Sequence, residues 1–64
     1  MTTQEAQKEV EALTAVIHSN NKRAEDLLGA EDYVGVLTVL EDNAKLIAEA
    51  HVLARVMLGL PTIH

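Results

Sequence analysis

The chain contains no cysteine, no tryptophan and no phenylalanine, and only one tyrosine, one proline and three glycines. Without cysteine there is no disulfide and no thiolate metal site. Basic residues are also few: five Lys and Arg stand against ten Asp and Glu, for a formal net charge of -5. A pI near 4.9 argues against a general electrostatic grip on nucleic acid. No run of apolar residues reaches the roughly 18 that a membrane span needs. The opening Met1-Thr2-Thr3-Gln4-Glu5 lacks the basic start and apolar core of a secretory signal, so a cytoplasmic location is expected. The 64 residues suffice for one domain.

What is present is aliphatic. Hydrophobic residues make up 48% of the chain, enough to exclude disorder. Folding a compact chain of this mass would remove about 6,000 Å² from water. With about 60% of that apolar, the gain is roughly 90 kcal/mol at ~25 cal/mol/Å². Ordering the backbone and side chains costs about 95 kcal/mol. The two offset each other, and an elongated helix pair buries less than a compact globule. Oligomerisation or a partner is then the expected source of the missing stability.

The periodicity is helical. Thr2-Thr3-Gln4-Glu5 has the pattern of a capping box. Ala6, Val10, Leu13, Ile17, Ala24 and Leu27 follow in alternating steps of four and three, with Asn20 filling the gap. That is a coiled-coil seam. It predicts a first helix over about 3–28. Ser19-Asn20-Asn21 is its weak point, because such side chains compete for backbone hydrogen bonds. The seam keeps its phase across them, so one continuous helix is expected. Gly29 is placed to end it, with a turn over 29–32 and Asp32 as the next cap. A second helix follows over about 33–58, stopped by Gly59, with Leu60 folding back against it and Pro61 forbidding continuation. Residues 59–64 form a tail.

The second helix is apolar around most of its circumference, the pattern of a buried helix. One seam is Leu37, Leu40, Ala44, Ile47, His51, Ala54 and Leu58. Another is Val36, Val39, Asn43, Leu46, Ala50, Leu53, Met57 and Leu60. Only Thr38, Glu41, Asp42, Lys45, Glu49 and Arg55 make a polar stripe. The first helix can cover one seam and not both. The expected fold is therefore all-α, an antiparallel two-helix hairpin that completes a helical bundle by oligomerisation or partner binding. The expected hairpin core is Val10, Leu13, Ile17, Ala24 and Leu27 against Leu37, Leu40, Ala44, Ile47 and Ala54. That leaves Val36, Val39, Leu46, Ala50, Leu53, Met57 and Leu60 as the expected partner or oligomer interface.

The sequence offers little to catalysis. His18 and His51 have no carboxylate and no second histidine three or four residues away, so a helical metal pair is missing. His51 reads as a core-flanking residue or as a pH-sensitive interface contact; His18 reads as a surface residue and His64 as part of the tail. Ser19 has only its neighbour His18 beside it. Gly29, Gly35 and Gly59 do not have a phosphate-binding spacing. No catalytic residue, cofactor or metal is expected. Gly35 is either a tolerated residue or a point of close approach by another chain. Tyr33 either staples the hairpin end or anchors a partner. Lys22-Arg23 is either a solvated doublet or a phosphate contact.

Met1-Thr2 with Glu5, Gly29 followed by Tyr33, and the small aliphatic stretch from Ala44 to Ala54 resemble the YscE/PscE group, small co-chaperones of type III secretion needle subunits. That resemblance implies a helical hairpin that binds a tetratricopeptide-like chaperone and helps keep the needle subunit from polymerising prematurely. Met1-Thr2, Gln4-Glu5, Leu40-x-Asp42-x-Ala44 and Leu53-Ala54-Arg55 are similar to the Rop-type plasmid copy-number hairpins, which dimerise into a four-helix bundle and bind RNA. The aromatic that those proteins carry on the first helix is missing here, so RNA binding is not implied. The function expected first is a non-catalytic adaptor for a helical chaperone or secretion subunit, or for itself. The competing class is a homo-oligomeric bundle, Rop-like or phage-encoded, binding RNA or a small nucleotide through Lys22, Arg23 and Lys45.

Overall fold

The computed structural model describes residues 2–59 and is an all-α helical hairpin, with no strand among those residues. α1 spans Thr3–Gly29 and α2 spans Tyr33–Met57. The molecule is a slab of 42 × 22 × 12 Å.

Local chemistry sets the ends of both helices. The Thr2 hydroxyl accepts the Glu5 backbone N–H at 3.1 Å and donates to the Glu5 carboxylate at 3.2 Å. This occupies one of the orphan donors of the first turn. α1 then runs through Ser19-Asn20-Asn21 without a break. The side chains of Asn20 and Asn21 are bonded to Asn43 on α2, so they do not compete for their own backbone.

The turn differs from expectation. Gly29 is the last helical residue of α1, and the residue with positive φ is Glu31, at 58°. Asp32 N–H bonds Leu27 C=O at 2.9 Å, and Glu31 N–H bonds Leu28 C=O at 3.0 Å. These are the two bonds of a Schellman motif. It forms here rather than at Gly29 because it delivers Asp32 directly to the N-terminus of α2. There the Asp32 carboxylate accepts the Gly35 N–H at 3.0 Å. At the other end Gly59, with φ 70°, follows α2 in the left-handed conformation. Leu60, Pro61 and the tail lie outside the described residues.

Gly35 has a reason found in neither reading of the sequence. A Cβ at this position would sit 2.7 Å from the Asp32 carboxylate. The glycine makes room for the capping side chain of its own helix. Gly35→Ala should therefore leave the stability of the hairpin within about 0.5 kcal/mol of its native value, the displaced cap offsetting what alanine, the better helix former, gains. Urea unfolding followed by circular dichroism measures this; a variant stabilised beyond that range would show that the cap tolerates a methyl group.

A buried amide holds the two helices in register. Asn43 is 2% exposed. Its side chain accepts from Asn20 Nδ2 at 2.9 Å, and its own Nδ2 donates to Asn21 Oδ1 at 2.9 Å and to the Ile17 carbonyl at 3.2 Å. With Asn20 facing Asn43, antiparallel steps of three and four place Ala24 opposite Val39 and Leu27 opposite Val36. In the other direction they place Ile17 opposite Leu46, Leu13 opposite Ala50, Val10 opposite Leu53 and Ala6 opposite Met57. Ala6, Ala24, Val39 and Leu53 are buried; Val10, Leu13, Ile17, Leu27, Val36, Leu46, Ala50 and Met57 are half-buried.

This corrects the expected core. Leu37, Leu40, Ala44 and Ile47 do not face α1 but are exposed, and Ala54 is half-buried. The physical reason is the amide. Packing that seam against α1 would set Asn20 opposite Ala44 and strand a polar group in the interface, at a cost of about 1–3 kcal/mol. The seam carrying Asn43 satisfies it.

Candidate interaction surface

The residues expected to meet a partner are the ones that α1 covers. Val36, Val39, Leu46, Ala50, Leu53 and Met57 line the inside of the hairpin, and Leu60 lies outside the described residues. Each has a neighbour one position later that points elsewhere: Leu37, Leu40, Ile47, His51, Ala54 and Leu58. Ala44, which follows Asn43, belongs with them. One residue is a rotation of about 100° around a helix. The second seam therefore sits on a broad face of the slab, roughly perpendicular to the direction of α1.

Tyr33 extends this seam by one step at its N-terminal end. Tyr33, Leu37, Leu40, Ala44, Ile47, His51 and Leu58 are all exposed, and Ala54 is half-buried. The steps alternate four and three from end to end, so the ridge has coiled-coil spacing along the whole of α2. Leu37 is 58% exposed, Leu40 48% and Ile47 52%. Val34 and Val52 are exposed as well. The Thr38 hydroxyl donates to the Val34 carbonyl at 3.0 Å, which turns its polar group towards the backbone. No carboxylate, ammonium or guanidinium lies within the ridge. The charged residues of α2, from Glu41 to Arg55, flank it or lie behind it.

The whole chain exposes 4888 Å². A compact monomer of this mass exposes about 4,000 Å². The difference reflects the flat, elongated shape, in which two helices cannot enclose a core. Soluble monomers seldom leave a contiguous apolar strip of this length in water.

The other candidates do not converge. His18, Lys22 and Arg23 are exposed on α1, and His51 is exposed within the ridge; His64 lies outside the described residues. Apart from Arg55, which is half-buried, every ionisable side chain of the described residues is exposed. Among the described residues no three His, Asp or Glu side chains come together as a metal site. Gln4, Gln7, Lys8 and Glu11 line a shallow depression along successive turns of α1 alone. No helix of the described residues is long and apolar enough to cross a membrane.

Two signals in the sequence pointed to the correct seam. Asn20 interrupts the seam of α1, and Asn43 interrupts one of the two seams of α2 at the matching antiparallel position. A polar residue in each seam is worth more as a pair than as two defects. No family model matches the chain, and no curated protein or solved structure is similar enough to count as a relative.

Proposed function

We propose that this chain is a non-catalytic protein–protein interaction module that docks a helical partner along the outer ridge of α2. The observation that supports this reading is the uninterrupted, uncharged, heptad-spaced seam from Tyr33 to Leu58, left in water by a hairpin that needs none of it for its own core. An amphipathic helix laid along the ridge would complete the burial of Leu37, Leu40, Ile47 and Leu58. Each completed burial adds roughly 1 kcal/mol at half of a full side-chain transfer. Helix-on-helix recognition of this kind is read as apolar anchors on one helix face, which Leu37, Leu40, Ala44 and Ile47 supply at i, i+3, i+7 and i+10. The adaptor works in the cytoplasm. The co-chaperones of type III secretion needle subunits are the most concrete class of this kind that the sequence resembles.

The test uses a labelled amphipathic peptide with a single apolar heptad seam, titrated by fluorescence anisotropy. The native chain should bind it. The Leu40→Glu/Ile47→Glu variant should bind it at least about 100-fold more weakly, since two central anchors are replaced by charge. The variant should keep its helicity at the dilution of the assay, because both side chains lie outside the hairpin core. Equal binding by the two proteins would reject the ridge as a docking surface.

A further inference from the structure

We propose that the occupant of the ridge is a second copy of this chain, with α2 packed antiparallel on α2 about a two-fold axis between Lys45 and Leu46. The inference rests on the docking role of the ridge and adds what docks there. It comes from the order of side-chain sizes along the seam: Tyr33, Leu37, Leu40, Ala44, Ile47, His51, Ala54, Leu58. Laid antiparallel on itself in full register, the seam sets Leu37 against Ala54 of the second copy and Ile47 against Ala44. Leu40 meets His51, and Tyr33 meets Leu58. Every layer occurs twice by symmetry, as a two-fold interface requires.

The two alanines of each copy thus fall opposite the β-branched or γ-branched residues of the other. Large against small is the arrangement that fills a helix interface without voids or overpacking. A parallel pairing gives the opposite result. It stacks alanine on alanine at positions 44 and 54, leaving holes, and leucine on leucine at 37. It also brings two His51 rings together in one layer. Sliding the antiparallel register by one heptad towards the C-terminus pairs Ala44 with Ala54 and leaves Tyr33 and Leu37 unpaired. The full register is the one in which all eight positions find a partner and no alanine faces an alanine.

Charge agrees with this pairing although the chain is acidic at -5. The seam itself is uncharged. On its flank, the same two-fold places Glu41 beside Ala48 of the second copy rather than beside a carboxylate. The two Glu41 side chains are then about 13 Å apart along the axis at ~1.5 Å per residue. That exceeds the ~8 Å over which exposed charges act at physiological salt.

Sedimentation equilibrium from micromolar to millimolar concentration tests the occupant, and disulfide trapping tests the orientation. The native chain should be a dimer, and Leu40→Glu/Ile47→Glu should dissociate at least about 100-fold more readily while staying helical. The chain has no cysteine of its own. Ala44→Cys mixed with Ile47→Cys, and separately Leu37→Cys mixed with Ala54→Cys, should oxidise to mixed dimers, because facing positions fall within the ~4.4–6.8 Å Cα separation of a disulfide. Ala54→Cys alone should not couple to itself. A native chain that stays monomeric at millimolar concentration, or efficient coupling of position 54 to itself, overturns the proposal. If the chain is monomeric yet binds the apolar probe peptide, the second copy alone is refuted; if it binds neither, the docking role falls too.

Discussion

Leu53→Asp unfolds the hairpin at concentrations where the chain is monomeric, whereas Leu40→Asp leaves it folded. Leu53 is 8% exposed and faces the Val10 turn of α1. A carboxylate there loses the aliphatic burial, worth about 2–3 kcal/mol. It must also stay hydrated, at a further cost of several kcal/mol. A domain of this size has roughly 3–10 kcal/mol of total stability to lose. Leu40 is a residue of the same type, thirteen positions earlier on the same helix, but its side chain is already 48% exposed. A charge there should cost the monomer about 1 kcal/mol, the share of the side-chain transfer that its covered half contributes. Far-ultraviolet circular dichroism of the two variants at high dilution separates them. An unfolded Leu40→Asp with an intact Leu53→Asp would mean that the seams had been exchanged.

Asn43→Ala should cost about 3 kcal/mol, more than most core truncations in so small a protein. The Asn43 side chain uses both of its donors and one acceptor on α1, and each such bond contributes about 1 kcal/mol net. The alanine also opens a void beside the half-buried Asn20. Asn43→Leu should cost much less, because it fills the space with apolar volume, and the stranded Asn20 amide can turn towards solvent. What leucine removes is the requirement that positions 20 and 43 face each other. A polar residue in an apolar seam fixes register at some expense of stability, so Asn43→Leu should admit slipped pairings that the native chain rejects. Urea titration gives the stability difference, and distances between spin labels on α1 and α2 give the register. A variant Asn43→Ala as stable as the native chain would remove the amide from the account of the fold.

Much of this fold was legible in the residues, for identifiable physical reasons. Thr2 with Glu5 and Asp32 with the following turn are capping signals that act over three or four residues, and no distant contact competes with them. The inner seam of α1 was equally plain, because the rest of that helix is polar. The second helix was different. Its two seams are displaced by one residue and are about equally apolar, so the count of hydrophobic side chains does not choose between them. The choice is made by Asn20 and Asn43, which lie far apart in sequence and look like imperfections until they are paired across the hairpin. Glu31 was hidden for another reason. Gly29 is the better residue for a left-handed turn, but the chain reverses two positions later so that Asp32 can both close the Schellman motif and cap α2. That an apolar seam would be left exposed was foreseen, since one helix cannot cover two seams. Its residues were not, because they are whatever the asparagine pair leaves over.

The central claim is that α2 keeps one seam for α1 and offers the next one to another helix. Thiol reactivity at two adjacent positions measures this directly, using Val39→Cys and Leu40→Cys in a chain otherwise free of cysteine. Val39 is 7% exposed and its neighbour lies in the ridge. The account predicts a protected thiol at position 39 at every concentration. It predicts a thiol at position 40 that reacts freely in dilute solution and becomes protected as the chain is concentrated. A thiol at 39 that reacts as fast as one at 40 would contradict it, whereas one at 40 whose reactivity ignores concentration would refute the second copy as the occupant of the ridge.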